Sequence, residues 1–532
     1  MTARQLPARP SLDQLRRQAK ELLHAAQAND PSAIARMRAL PAFATMSPAD
    51  LARVPLALHD AQSVIAREHG FDSWNALRER VEELTLEFDS AVTEFIDAAT
   101  SERPDRAARL LHLHPAIASA NFHAALLCGH ASTVERYLAA EASLATRAGG
   151  PRNWEPLHYL CHNAVRPETP GARDGAVAIA RALIARGANP NARFPWLHHG
   201  VNRPVLWGAV CATGSLPLAA VLLESGADPN DGVTLAIAAS GGNIDALDLL
   251  HAHGADSNQP WATDGSSTLY AILHWAAGPA GVLWLLEHGA DADPVFPATG
   301  ETPLHLVAER WDVSLAEQLA SRGADITRRR ADGRTPYAIA ELSGNREVAR
   351  WLLAHGARDD MSSADRLVAA CSRGDSATAS AMLAAQPELR AAIATAYNAA
   401  LIKAAERDDT RALETMLVSG FDPNVADEEI GKTPLHAAAM EGWPSAVRIL
   451  LAHGASPAAR DKEFHGTPLV WAAEGSRAPA RDGRDHAAVG RLLLAAGSPL
   501  DWQSGEEPAQ AVHDILAEWQ RRPPATPPEL AE

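Results

Sequence analysis

Three groups of residues in this chain have types and spacings that could do chemistry. Ala426 to Thr433 ends in Gly431-Lys432-Thr433 and passes a loose nucleotide-binding pattern. A phosphate cradle needs a glycine-rich loop leaving a strand and opening a helix, so that backbone N–H groups converge on the anion. Here the first glycine of the pattern is missing, and Asp427, Glu428 and Glu429 would repel phosphate. His158, Cys161 and His162, with His198 and His199 further on, invite a metal, but no acid or second thiol completes a tetrahedral set at a familiar spacing. His59, Asp60, His69 and Trp74 could form a catalytic cluster near the N-terminus, without catalytic spacing. Gly-x-Ser-x-Gly, His-Glu-x-x-His and a paired Gly-x-Gly-x-x-Gly are not found. The expectation is no enzyme, no metal and no cofactor.

The elements that carry these residues are set by a recurring phrase, Leu-Leu-x-x-Gly-Ala-Asp/Asn. Its glycines are Gly187, Gly226, Gly254, Gly289, Gly323, Gly356, Gly420 and Gly454. Three consecutive gaps are 35, 34 and 33 residues, and Gly420 to Gly454 is 34. A period near 33 marks a stacked repeat protein, which acts as a surface more often than as a catalyst. Twenty-one residues before Gly323 stands Thr302-Pro303-Leu304-His305, and the same offset before Gly454 gives Thr433-Pro434-Leu435-His436. Thr335-Pro336-Tyr337-Ala338 precedes Gly356 in the same way. Threonine caps a helix, and proline at the first helical position gives up an N–H that would have no partner there. Glycine ends the second helix because φ > 0 costs it nothing, and Asp-Pro-Asn, as at Asp228–Asn230 and Asp422–Asn424, opens a turn.

This pattern resembles the ankyrin repeat. The resemblance implies an all-α solenoid of helix-turn-helix units with β-hairpin fingers. Anchored on the glycine position, about twelve units run from 88 to 501, three of them with His114, Glu141 or Gln386 in place of glycine. Two units are stretched between their helices, at Asn163–Asp174 and Gly475–Asp485, where proline and glycine argue for exposed loops. Residues 1–10 read as a tail and 11–86 as a small helical domain, opened by Ser11 as the cap of Leu12–Gln27. The run Leu58-His59-Asp60-Ala61-Gln62 to Phe71-Asp72-Ser73-Trp74 resembles the helical leader of some bacterial ankyrin proteins. Residues 502–522 are expected to hold a capping helix, Ala509–Gln520, and 523–532 a Pro-rich disordered tail. The resemblance also implies that His158, His305 and His436 bridge neighbouring repeats by hydrogen bonds. His253, His288, His355 and His453 precede the terminal glycine, where imidazolium suits the helix dipole.

Charge narrows the partner. The net charge is −17, and residues 1–88 sum to zero with 11 basic and 11 acidic side chains. The remaining 37 basic and 54 acidic residues carry all of it. Nucleic-acid affinity rests on phosphate neutralisation, so an acidic array is a poor nucleic-acid binder, and Arg328-Arg329-Arg330 reads as a solvated turn. No apolar run reaches membrane-spanning length, the first fifteen residues lack a signal-peptide core, and four scattered cysteines fit no disulfide framework. A cytoplasmic, bacterial protein is the expectation, with four lysines against 44 arginines pointing to a GC-rich genome.

In ankyrin repeats the residue after Thr-Pro-Leu-His lies on the concave face of the first helix. In the six central units that slot holds Tyr159, Trp207, Ile237, Ile272, Leu306 and Ile339, all large and apolar. Beyond them it holds Asp97, Ala124, Ala369 and Lys403. Aromatics in the finger turns, Trp154, Phe194, Trp196, Trp261, Phe296 and Phe464, would overhang it. Two readings stand: the stripe fills gaps between helices or packs under the fingers, or it is a hydrophobic groove for a partner. The expected function is non-enzymatic binding of a protein or peptide with apolar anchors and basic flanks. The alternatives are a self-associating or autoinhibited scaffold, with leader or tail in the groove, and an enzyme seated in the leader.

Overall fold

The computed structural model describes all residues except 1–3, 8, 41–42, 102, 166–169, 196–201, 477–483 and 500–532. The expected capping helix and Pro-rich tail therefore lie outside the described residues, as do Trp196, His198 and His199. The chain divides into two compact units. One comprises 1–82, 338–349 and 359–532; the other comprises 83–337 and 350–358. Among the described residues no helix is long and apolar enough to cross a membrane.

The first unit opens with helices Leu12–Gln27, Pro31–Met37, Pro48–Leu51, Leu58–Glu68 and Trp74–Thr85. The Ser11 hydroxyl accepts from Gln14 N–H, as the cap reading expected. Leu15, Ala19, Leu22 and Ala26 fall on one helical face and enter a separate hydrophobic cluster with Ile34, Met37, Leu51, Ile65 and Leu77. Arg36 closes this cluster on one side with a two-pronged ion pair to Glu68, at 2.7 and 3.0 Å.

Among the described residues, the chain from 88 to 499 is built mainly from pairs of helices. The second unit holds seven, from Phe88–Ala99 with Pro104–Leu113 to Pro303–Arg310 with Val313–Ser321. The first unit holds four, from Ser363–Ser372 with Ser376–Ala385 to Pro468–Gly475 with His486–Ala495. Two further helices are Pro336–Leu342 and Arg346–Ala354. Alanines and leucines of the facing helices are buried in each pair, as at Leu235, Ala236, Ala239, Ala246, Leu247 and Leu250. One finger forms a two-stranded antiparallel sheet, Arg193–Pro195 with Asn202–Pro204, in which Phe194 faces Arg203.

The turn after each second helix follows the sequence. The eight repeat glycines and Gly497 all have φ between 85° and 108°. Where the glycine is missing, the backbone at His114, Glu141 and Gln386 is extended instead, with φ of −130°, −149° and −136°. A short 3-10 helix begins at once after His114 and Glu141, at Pro115–Ser119 and Ala142–Ala145, and an α-helix, Leu389–Ala396, follows Gln386 three residues on. A side chain that cannot take the left-handed conformation cheaply redirects the chain.

The residue four places after the glycine ties one repeat to the next. Asn258 Nδ2 donates to Gly289 O at 2.9 Å, and its Oδ1 accepts from Asp291 N–H at 2.7 Å. Asn191, Asn230 and Asn424 make the same two bonds to their own neighbours. At Asp293 the amide donor is absent, and Arg328 of the following repeat fills the place with a bond of 2.6 Å. The sequence reading took this asparagine as a turn former and missed the clamp.

Candidate functional site

The nucleotide-binding pattern is consumed by the fold. Asp427 Oδ1 accepts from the backbone N–H groups of Ile430 and Gly431 at 2.9 Å, so the would-be phosphate donors are occupied. Lys432 Nζ bonds Glu406 at 2.7 Å, and Thr433 caps the helix Pro434–Glu441. In the leader, Asp60 is buried and accepts from Ala57 N–H at 2.8 Å. His59 Nε2 lies 3.4 Å from the Asp60 carboxylate, while His69 meets Arg4 O and Trp74 packs against the leader core. These are helix-end and core roles. Of the three arginines read as a solvated turn, Arg328 pairs with Asp293, Arg329 donates to Gly333 O at 2.7 Å, and Arg330 pairs with Glu301 and Asp332.

The repeat histidines divide. His305 Nδ1 accepts from Thr302 N–H and lies 2.9 Å from the Thr302 hydroxyl, and its Nε2 faces Arg334 O at 3.3 Å. His436 does the same with Thr433 and with Gly466 O at 3.1 Å. Both bridge repeats, as the resemblance implied. His158 does not. Glu155 stands where threonine would be, and both ring nitrogens of His158 are buried without a partner among the described residues. It sits instead in an aromatic box. His158 meets Phe194 edge-on at 5.4 Å, Phe194 meets His162 at 4.2 Å, and His162 stacks on Trp207 at 5.6 Å. Burial lowers the pKa of His158 to about 4 and of His162 to about 3, with Arg203 adding to the effect on His162. Two neutral imidazoles in an apolar box are core, and among the described residues no three His, Cys, Asp or Glu side chains converge for a metal. All four cysteines are free, and burial raises each thiol, Cys128 and Cys211 to about 12.

The apolar stripe is for the most part a buried layer. Tyr159 is 0% exposed: its hydroxyl donates to Gly149 O at 2.9 Å and accepts from Arg152 N–H at 2.8 Å. Ile272, Leu306 and Ile339 are also buried, and Ile237 alone is half-exposed. Trp207, the residue expected to anchor a partner, is 8% exposed, with the Arg203 guanidinium 3.9 Å above its ring and His162 on the ring as well. The helix at Val205–Trp207 widens into a π-helical turn, Gly208–Ala212. Gly208 abuts His162: a Cβ there would fall 2.6 Å from the imidazole. The expectation of an open groove along this slot is corrected for these five positions. Finger residues Gly149, Arg152 and Arg203 cover the slot at Tyr159 and Trp207, which spacing along one helix cannot reveal.

The finger aromatics are different. Trp154, Trp261 and Phe296 are half-buried, Phe194 is buried, and Phe464 is exposed at its finger tip. Trp261 packs against Trp275, with ring centroids 5.4 Å apart. Trp275 lies just past the helix Thr268–Ile272 and is 43% exposed. Phe296 stacks on Tyr270 at 5.1 Å and leaves its neighbour Val295 exposed. Tyr270 itself donates to Glu301 at 2.9 Å, and burial raises its pKa. The stripe reading missed Trp275, three residues beyond the slot of Ile272. Its signal was proximity to the Trp261 finger one hairpin earlier.

A family model described as "Ankyrin repeats (3 copies)" matches residues 273–365 and 401–498. Cyclin-dependent kinase 4 inhibitor B of Bos taurus is 34% identical over 120 residues, 23% of this chain and 89% of that protein. Human cyclin-dependent kinase inhibitor 2A is 33% identical over 138 residues, 26% of this chain and 83% of that protein. "Ankyrin repeat and KH domain-containing protein mask-1" of Caenorhabditis elegans is 28% identical over 212 residues, 39% of this chain but only 8% of the relative. These three relatives are animal proteins, so they give no support to the bacterial leader resemblance. Repeat glycines in the left-handed region, threonine–histidine bridges and the family match agree, and the chain belongs to the ankyrin-repeat family.

Proposed function

We propose that this chain binds a partner protein, without catalysing a reaction, on the finger side of the repeats between Trp154 and Phe296. Ankyrin repeats are in general protein–protein interaction modules, and two of the relatives are named as inhibitors of another protein. The observation that carries the reading is a set of aromatic and aliphatic side chains left partly or largely uncovered in one unit: Trp154, Ile237, Trp261, Trp275, Val295 and Phe296. Exposed apolar surface of this kind marks interaction sites, and tryptophan anchors dominate interfaces. In this reading the buried stripe from Tyr159 to Leu306 serves as the floor that fixes the fingers.

The test uses the full chain as bait in lysate of the native host, followed by direct titration of the recovered protein. Trp154→Ala, Trp261→Ala and Phe296→Ala should each weaken that binding about tenfold or more, since central anchors typically cost upwards of 1.4 kcal/mol. The melting temperature should stay near that of the parent for Trp261→Ala, whereas Trp154→Ala and Phe296→Ala also remove ring packing on Tyr159, Phe194 and Tyr270 and are compared as affinity per folded molecule. Unchanged affinity in all three variants would overturn the surface. Deleting 1–86 distinguishes direct binding from self-occlusion: tighter binding by the shortened chain would support a leader that covers the surface.

A further inference from the structure

The charge on this chain is not spread evenly. From Pro204 to Glu309 there is no lysine or arginine in 106 residues, while twelve aspartates and glutamates fall in the same stretch. Three of those acids are neutralised from outside it: Glu224 by Arg181, Asp293 by Arg328 and Glu301 by Arg330. Asp228, Asp256, Asp264 and Asp291 are exposed and carry no ion pair among the described residues. In the middle of this stretch lies the Trp261–Trp275 pair, with Asp264 in the same turn as Trp261, where Gly265 N–H bonds Trp261 O at 2.9 Å.

Other tryptophans of this chain have a cation of their own. Arg152 lies 5.9 Å from the Trp154 ring, Arg203 3.9 Å from Trp207, Arg310 5.7 Å from Trp311 and Arg484 5.6 Å from Trp443. None of these arginines lies over Trp261 or Trp275: Arg310, which comes nearest along the chain, spends its guanidinium on His274 O and the Trp311 ring, and residues 204–309 themselves hold no lysine or arginine. An indole face attracts guanidinium, the more so where nearby carboxylates raise the local negative potential. The two remaining requirements of a cation seat, an uncovered ring and a negative surround, are both met here.

We propose that the Trp261–Trp275 pair seats an arginine side chain of a basic segment of the partner, with Asp264 completing the site. This rests on the reading of the finger side as a partner surface. It also commits that surface to one class of occupant, an arginine-bearing stretch of protein chain. Arginine is chosen over lysine because a planar guanidinium stacks on an indole while bonding a carboxylate at its edge.

The test uses the full chain and three synthetic peptides of equal length, alternating glycine with arginine, lysine or glutamine. Incorporating 5-fluorotryptophan gives each indole a fluorine signal, and Trp261→Phe and Trp275→Phe assign the two of interest. The arginine peptide should shift those two signals first and bind several-fold more tightly than the lysine peptide. The glutamine peptide should not bind. Trp275→Ala, at an exposed position, and Asp264→Asn should each weaken the arginine peptide about tenfold, with folding unchanged. Equal affinity for arginine and lysine peptides would overturn the seat and leave only attraction to net charge. So would fluorine shifts that ignore Trp261 and Trp275. If the partner protein still binds through Trp154 and Phe296 in that case, the seat fails while the proposed function stands.

Discussion

Two repeats of the second unit reach the same helix pair by different chemistry. The repeat at Thr302–Ala324 follows the family pattern. Threonine caps the first helix, His305 links the cap to Arg334 O, and Gly323 turns the chain at φ 99°. The repeats that meet at Glu141–His162 have none of this. Glu141 stands at the glycine position, Glu155 at the threonine position, and the His158 ring has no hydrogen bond among the described residues. A short 3-10 turn replaces the glycine turn, and packing among Phe194, His162, Trp154 and Trp207 replaces the bridge. Hydrogen bonds and aromatic contact are thus interchangeable as repeat-to-repeat glue, but they answer differently to pH and to mutation.

Acid should separate the two most strongly. His158 and His162 have folded pKa values near 4 and 3, below the ordinary 6.5. Their neutral forms stabilise the fold fully above pH 6.5, and that stability is lost as pH falls from 6.5 toward 4. At 1.36 kcal/mol for each tenfold change in proton affinity, either histidine contributes roughly 3 kcal/mol to the loss by pH 4. Thermal melts from pH 7.5 to 4 should show the drop, and His162→Leu should flatten it. An unchanged slope would mean that the box admits water. Next in size, His305→Ala should cost about 3 kcal/mol, because it strands Thr302 N–H and Arg334 O in a buried site. Denaturant titration reads this directly.

The turn chemistry gives a sharper contrast. Gly323→Val should cost about 2 kcal/mol, since a β-branched side chain is strained in the left-handed region while the space around it is open. Glu141→Val, at φ −149°, should cost almost nothing by the same measurement. Asn258→Ala should lose about 1 kcal/mol for its two exposed bridging bonds. Smallest of all, His158→Leu should be neutral or slightly stabilising, because it removes buried ring nitrogens that bond nothing. A large loss there would show that His158 has a partner after all.

What could be read from sequence follows from distance along the chain. Helix caps, the repeat glycines and the threonine–histidine bridge are set within a few residues or recur in register, so each left a visible signature. The asparagine clamp left its signature too, four residues after the glycine, but its bonds reach 24 to 37 residues ahead and a single sequence does not display them. The stripe was misjudged for the same reason. Its helical face could be read from spacing, whereas its cover could not: Tyr159 is closed off by Gly149 and Arg152, and Trp207 by Arg203. Trp275 was overlooked because it lies outside the slot and matters only through Trp261.

The asparagine clamps also bear on how the array answers to tension. Pulled end to end, a stack of repeats yields at its weakest junction first. At Asn191, Asn230 and Asn258 that junction is held by two amide bonds, whose strength salt hardly alters. At Asp293 it is held by the ion pair to Arg328, which salt screens. Concentrated salt should therefore weaken the junction at Asp293 and leave the three asparagine junctions nearly unchanged.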